Sequence, residues 1–138
     1  MEKRSKLRVL IVDDSAFMRM AIRSILSRDP EIEIVGTANN GADGVAKVLA
    51  LRPDVVTMDV EMPVMDGIAA VREIMSKAPT RVIMVSTLTR EGATATFDAL
   101  EVGAVDYVSK GGADSGIEQT GIQCEGVAEV GGGVFADA

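Results

Sequence analysis

The sequence predicts an α/β protein built around a parallel β-sheet. Short runs of β-branched and aliphatic residues alternate with longer segments whose apolar residues recur at helical spacing. Parallel strands need a crossover connection of a dozen or more residues, and a helix between successive strands supplies one. Helices then cover both faces of the sheet, which suits strands as apolar as the first one.

Five segments carry the strand pattern, and each ends at a polar residue or a turn signal. They are residues 7–12, 32–37, 55–58, 81–85 and 105–108. The first stops at two aspartates, and Asn39-Asn40-Gly41 follows the second as a turn.

Four segments carry the helix pattern. Ser15, a residue type that caps helix N-termini, precedes Met18, Ile22 and Ile25 at i, i+4 and i+7. The other three helices are marked by Val45, Val48 and Leu49, by Ile68, Val71, Ile74 and Met75, and by Ala93, Phe97 and Leu100.

Composition narrows the class of protein. A length of 138 residues suits one ordinary domain, and a net charge of −7 gives a nucleic-acid-binding face no electrostatic support. No apolar run approaches the roughly 20 residues of a membrane span. The single Cys124 excludes an internal disulfide and suits a reducing compartment, so we expect a cytoplasmic protein.

Residues 111–138 differ from the rest of the chain. They contain 8 of the 14 glycines, five acidic residues and neither Lys nor Arg. Gly121 and Gly126 would each weaken a helix there by about 1 kcal/mol relative to Ala. We therefore expect one domain over residues 1–110 and a Gly-rich acidic tail, atypical or disordered, over residues 111–138.

Polar residues follow four of the predicted strands, and parallel strands present their carboxyl ends at one edge of the sheet, where ligands bind. Singly, each has an ordinary explanation as a turn former, a helix cap or a solvated charge. Their arrival together favours a functional site. The residues are Asp13 and Asp14, Asp59, Ser86 and Lys110.

The chemistry of this set points to magnesium and phosphoryl transfer. Three carboxylates suit a hard cation such as Mg²⁺, whereas a chain with no His and one Cys cannot supply a zinc site. A carboxylate beside Mg²⁺ can attack phosphorus and form an aspartyl phosphate, with a Lys and a hydroxyl on the phosphate oxygens. Asp59 is the best candidate for the nucleophile, because the acid pair precedes it and the Lys follows it.

Four stretches resemble the response-regulator receiver family in order and spacing: residues 9–15, 58–67, 82–86 and 103–110. The resemblance implies a flavodoxin-like, doubly wound, five-stranded parallel sheet of the CheY type, over residues 1–110. The family's fifth helix would fall in the Gly-rich tail, whose composition disfavours a helix, so a regular fifth helix is not expected here.

The resemblance also implies a role for each member of the set. It implies Asp59 as phosphoacceptor, Asp13 and Asp14 as the Mg²⁺ acids, the Glu61 backbone carbonyl as a further ligand, Ser86 as the switch hydroxyl, Lys110 as the phosphate contact and Tyr107 as the aromatic that changes rotamer on activation.

Residues 13–19, 51–63 and 84–89 are similar to the receiver of the chemotaxis protein-glutamate methylesterase family, CheB. That resemblance implies phosphorylation by a CheA-like histidine kinase and control of an esterase domain that demethylates chemoreceptors. An esterase domain or a chemoreceptor complex is the partner it implies. The esterase relies on Ser, His and Asp, so this chain, without His, is expected to have no methylesterase activity.

One departure leaves alternatives open. Gly111 follows Lys110 where the family usually has Pro. We hypothesise a chain truncated or frame-shifted near Lys110, or a stand-alone receiver without output. A haloacid-dehalogenase-type phosphatase is the other alternative, although there the nucleophile comes first and the acid pair last, the reverse of the order here.

Overall fold

A computed structural model of the chain describes residues 6–86 and 90–109; the side chains of residues 86, 90–93 and 109 lie outside that description. Within the described residues, five strands alternate with four helices. The strands are β1 (Leu7–Val12), β2 (Ile32–Ala38), β3 (Val55–Asp59), β4 (Arg81–Ser86) and β5 (Asp106–Ser109), and the helices are α1 (Ala16–Leu26), α2 (Gly41–Leu51), α3 (Gly67–Lys77) and α4 (Arg90–Val102).

All the strand pairs are parallel, and the strand order is β2-β1-β3-β4-β5. The predicted α/β class and the flavodoxin-like doubly wound sheet are both confirmed. The order reverses direction between β1 and β3, which makes the carboxyl ends of these two strands the place where such folds bind ligands.

The sheet buries side chains on both faces. Alternate residues of the central strands, such as Leu10 and Met58, pack in one cluster with residues of α2, α3 and α4. The intervening residues, such as Val9 and Ile11, pack in a second cluster with residues of α1. Because both of its faces are covered, β1 is apolar throughout its buried part, as the sequence predicts.

The helix starts follow from local side chains. Ser15 Oγ accepts a hydrogen bond from the Met18 N–H at 3.2 Å, as predicted for an N-cap. Asn40 and Asp66 cap α2 and α3 in the same way. None of the helices within the described ranges has the length and apolar character needed to cross a lipid bilayer.

Two apolar residues predicted to face the core do not do so. Phe97 of α4 is 62% exposed, and Leu49 of α2 is also exposed. Among the described side chains of α4, those of residues 94–102, the buried ones are Thr96 and Ala99, one residue before Phe97 and two after it. Small residues allow a helix to pack close to its neighbours. The prediction chose the wrong face of α4 because it assumed that the largest apolar side chain, Phe97, points into the core.

Thr57 of β3 provides a test of the core. Thr57 is 1% exposed, and within the described part of the chain its hydroxyl oxygen has no hydrogen-bond partner. Valine is similar in shape and has no hydroxyl to desolvate. Thr57→Val is therefore expected to raise the free energy of unfolding by about 1 kcal/mol, measured by urea denaturation.

Thr80 supplies the matched control, because its hydroxyl donates a hydrogen bond to the Ala78 carbonyl at 2.7 Å. Thr80→Val is expected to lower the free energy of unfolding by about 0.5–1 kcal/mol, since the same change removes a bond that is made. A loss of stability in both variants would contradict this account of Thr57.

Candidate functional site

The pairing of β1 with β3 places two of the predicted acids side by side. Val12 is the register partner of Met58, so Asp13 and Asp59 are the next residues along two neighbouring parallel strands. Both carboxylates lie at the carboxyl edge of the sheet, where the strand order reverses. Asp13 and Asp59 are 0% and 5% exposed, respectively.

Asp14 completes a cluster of three carboxylates. One carboxylate oxygen from each of Asp13, Asp14 and Asp59 can be chosen so that all three lie within 4.8 Å of one another. Like charges at this distance repel, and a cation between them would neutralise the repulsion. The cluster is therefore a candidate cation site with one solvent-exposed member, Asp14.

The donor set fits Mg²⁺ in type and spacing. All three donors are carboxylate oxygens, the ligands that hard cations prefer, and ligands on opposite sides of Mg²⁺ are about 4.2 Å apart. The observed limit of 4.8 Å is somewhat longer than that value, so the carboxylates would have to move closer together around a bound ion. Mg²⁺ usually keeps several waters, and the exposed position of Asp14 leaves room for them.

The turn after β1 holds Asp13 through its backbone and its side chain. The Asp13 N–H donates to the Ala38 carbonyl at 3.0 Å, and Asp13 Oδ1 accepts from the Ser15 N–H at 2.9 Å. Arg19 Nη1 reaches back from α1 and donates to the Asp13 carbonyl at 2.8 Å. Strand, turn and helix thus all restrain the residue that lies beside Asp59.

The loop between β3 and α3 carries Glu61 and is held at both ends. At one end, the Gly67 N–H donates to the Val60 carbonyl at 2.9 Å, and a Cβ on Gly67 would lie 2.2 Å from the Asp59 carbonyl oxygen. At the other, the Gly41 N–H of α2 donates to the Met65 carbonyl at 3.0 Å, and a Cβ there would lie 2.3 Å from that oxygen. Only glycine permits these two approaches.

The same loop has a strained residue at its tip. Val64 has a φ of 70° and is 84% exposed, and the Met65 N–H donates to the Pro63 carbonyl at 2.7 Å across it. A γ-turn with positive φ is rare, and a β-branched residue there is strained. The hydrogen bonds donated by Gly41 and Gly67 restrain the loop on either side of this residue.

The other predicted site residues lie at or beyond the described edge of the sheet. Ser86 ends β4, where it is the register partner of Ser109, and its side chain lies outside the described residues. Lys110 lies entirely outside them, as do residues 111–138. Tyr107 is on β5 and 51% exposed, and Glu61 is exposed in the loop after β3. The roles expected of these residues stay predictions.

Three residues of the site were not singled out for it by sequence reasoning. Gly41 was taken only as a turn residue, and Gly67 and Arg19 only as members of stretches that resemble known families. Each donates a hydrogen bond to a backbone carbonyl that is distant in sequence or lies across a turn. The recurrence of Gly directly after a helix-capping residue, Asn40-Gly41 and Asp66-Gly67, is the one signal that could have drawn attention to the glycines.

The chain is similar to known proteins in both sequence and structure. The family profile of the response regulator receiver domain matches residues 9–120. A protein-glutamate methylesterase/protein-glutamine glutaminase of Geobacter metallireducens is 66% identical over 110 residues, which are 80% of this chain and 31% of that protein. The chain thus spans about a third of the length of this curated relative.

Solved structures agree with the sequence relatives. The response regulator domain of Thermotoga maritima CheB is 46% identical, with a TM-score of 0.72, over 95% of this chain and 92% of that one. The CheX-CheY-BeF3-Mg²⁺ complex from Borrelia burgdorferi contains a chain that is 30% identical, with a TM-score of 0.74, over 95% and 90% of the two chains.

Gly67 allows the packing beneath Asp59 to be tested. In Gly67→Ala the new methyl group would meet the Asp59 carbonyl at 2.2 Å, so the backbone at Asp59 or at the start of α3 must move. We expect the free energy of unfolding to fall by about 1–3 kcal/mol, measured by urea denaturation.

Gly36→Ala is the matched control. A Cβ on Gly36 would make its closest contact with Leu51 Cδ1, at 3.0 Å, and the end of a leucine side chain can move aside. Its effect is expected to be much smaller than that of Gly67→Ala. Equal losses in the two variants would show that the approach to Asp59 is not a special constraint.

Proposed function

The chain belongs to the response regulator receiver family, and on that premise we propose that it accepts a phosphoryl group on Asp59 in two-component signalling. The receiver is of the CheB methylesterase type. The observation that carries the proposal is the cluster of Asp13, Asp14 and Asp59 at the switch point of the sheet. A carboxylate can act as the nucleophile toward phosphorus, and the two neighbouring acids would help to hold the Mg²⁺ that assists the transfer.

In the proposed reaction, an oxygen of the Asp59 carboxylate attacks the phosphorus atom of the donor. A new P–O bond forms, and the bond from phosphorus to the donor atom breaks: P–N for a phosphohistidine, P–O for acetyl phosphate. The leaving group keeps the electron pair of the broken bond. The low exposure of Asp59 limits the approach of water to the carboxylate.

Asp13, Asp14 and Asp59 would hold Mg²⁺ through carboxylate oxygens, with the Glu61 carbonyl as the further protein ligand. When bound, the ion neutralises charge on the transferring phosphoryl group. Asp13 is held by the turn after β1, and Glu61 lies in a loop tied at Gly41 and Gly67. The protein thus contributes restrained oxygen donors.

Three further residues are proposed to respond to the phosphoryl group: Ser86, Lys110 and Tyr107. Val85 is the register partner of Asp59, so Ser86 follows directly on the strand beside it. We expect the Ser86 hydroxyl and the Lys110 ammonium to contact phosphate oxygens, and Tyr107 to change rotamer on phosphorylation. The half-exposed position of Tyr107 on β5 leaves space for such a change.

We expect the phosphoryl donor to be a CheA-like histidine kinase in the cytoplasm. The relative from Geobacter metallireducens is a methylesterase about three times as long as the matched region, so a methylesterase domain is the expected target of regulation. A chemoreceptor complex would be the site of action. Within this chain we assign receiver function to residues 1–110, with residues 111–138 as a tail.

Replacement of the nucleophile tests the proposal directly. The unaltered chain is expected to gain one phosphoryl group from acetyl phosphate with Mg²⁺, and Asp59→Asn to gain none, because an amide oxygen is a poor nucleophile. Intact-mass spectrometry measures the gain. Beryllofluoride with Mg²⁺ should bind the unaltered chain and not the variant.

Asp66→Asn is the matched control. Asp66 caps α3 by accepting a hydrogen bond from the Ala69 N–H at 2.9 Å, and Asn caps helices as well as Asp does. Asp66→Asn should therefore be labelled like the unaltered chain. Full labelling of Asp59→Asn would refute the assignment of the acceptor.

Asp14 tests the cation site independently of phosphorylation. Without Mg²⁺, Asp14→Asn is expected to raise the melting temperature, because it removes one of three mutually repelling charges. Added Mg²⁺ should raise the melting temperature of the unaltered chain and do so much less for the variant. Asp98→Asn, at an exposed acid of α4, should leave the response to Mg²⁺ unchanged. An equal Mg²⁺ response in all three proteins would count against the site.

A further inference from the structure

Arg19 lies near the start of α1 and extends back to the end of β1. Its Nη1 donates to the Asp13 carbonyl oxygen at 2.8 Å, across the turn that carries Asp14. Its backbone N–H donates to the Ser15 carbonyl at 2.9 Å, so the residue is fixed in the helix at one end. The guanidinium group therefore connects a rigid helix to the acidic turn.

The carbonyl that Arg19 binds belongs to the peptide between Asp13 and Asp14. A peptide is planar, so a bond to its oxygen fixes the direction in which the chain enters Asp14. The Asp14 side chain is exposed, and no hydrogen bond or ion pair to another described residue holds it. The position of its carboxylate consequently depends on the backbone.

Asp13 is restrained by more than this one contact. Its N–H and its Oδ1 are bonded to the Ala38 carbonyl and the Ser15 N–H, through backbone groups that a change of Arg19 would leave in place. Loss of the Arg19 bond would therefore loosen the peptide on the Asp14 side more than Asp13 itself. Of the three carboxylates in the cluster, that of Asp14 is therefore expected to shift most when the Arg19 bond is lost.

We infer that Arg19 is a positioning residue of the cation site, which holds the Asp13–Asp14 peptide so that the Asp14 carboxylate stays within the acidic cluster. The inference rests on the proposed function, since it takes the cluster to be the Mg²⁺ site. It assigns to Arg19 an effect on cation affinity that acts through Asp14 and involves no contact with the ion.

An electrostatic role and a positioning role for Arg19 predict opposite changes in Mg²⁺ affinity when the residue is replaced. A guanidinium near a cation site repels the cation, so removal of its charge alone would strengthen Mg²⁺ binding. Removal of its hydrogen bond would loosen Asp14 and weaken Mg²⁺ binding. The sign of the change in affinity therefore distinguishes a positioning role from a purely electrostatic one.

Calorimetric titration of the full chain with MgCl2 tests the inference. Arg19→Met is expected to weaken Mg²⁺ binding by about three- to tenfold, the effect of losing one restraining hydrogen bond. Arg19→Lys, which keeps a donor, should recover part of that loss. Arg23→Met removes the same charge one turn further along α1, from an exposed position, and should leave the affinity unchanged or slightly raised.

Thermal melting without Mg²⁺ separates this role from a structural one. A lower melting temperature with unchanged or tighter Mg²⁺ binding in Arg19→Met would overturn the inference. If Arg19→Met does not fold, Arg19→Gln is titrated instead, with the same expected direction and the same contrary result. Absence of Mg²⁺ binding by the unaltered chain would overturn the proposed cation site and this inference together, whereas equal affinities in the unaltered chain and the variant would overturn this inference alone.

Discussion

The parallel pairing of β1 with β3 is the constraint on which the functional site depends. It sets Val12 beside Met58 and thereby brings Asp13 next to Asp59, although 45 residues of chain separate the two. A slip of one residue would turn every side chain of a strand to the opposite face. Because both faces of β1 pack against helices, such a slip would exchange side chains of β1 between the two core clusters and disrupt the packing of both.

The core therefore maintains an arrangement that electrostatics opposes. Three carboxylates within 4.8 Å repel one another, and nothing in their own chemistry brings them together. Burial of a large aliphatic side chain such as Leu10 contributes about 2 kcal/mol, so a few such residues offset the repulsion. Because a cation would neutralise the repulsion, binding of the proposed ion would stabilise the folded domain.

The two strand ends are restrained in different ways. After β1 the restraints come from side chains, because Ser15 caps α1 and Arg19 binds the Asp13 carbonyl. After β3 they come from the backbone, through close approaches that only Gly41 and Gly67 permit. The resulting loop tolerates a strained Val64 at its tip. We therefore expect one side of the site to be sensitive to loss of a side chain and the other to gain of a methyl group.

The sequence by itself determined the class of fold, the five strands and the identity of the acidic cluster. Strand residues read as buried runs, and the polar residues that follow them, such as Asp59, stand at positions that any parallel sheet brings to one edge. Tertiary structure alone decided which face of α4 points inward, because Thr96 and Ala99 are buried while Phe97 is not. It also decided which groups Gly67 and Arg19 contact. Their partners are backbone carbonyls, which every residue carries, so no pattern of side chains can reveal which carbonyl a given residue will meet.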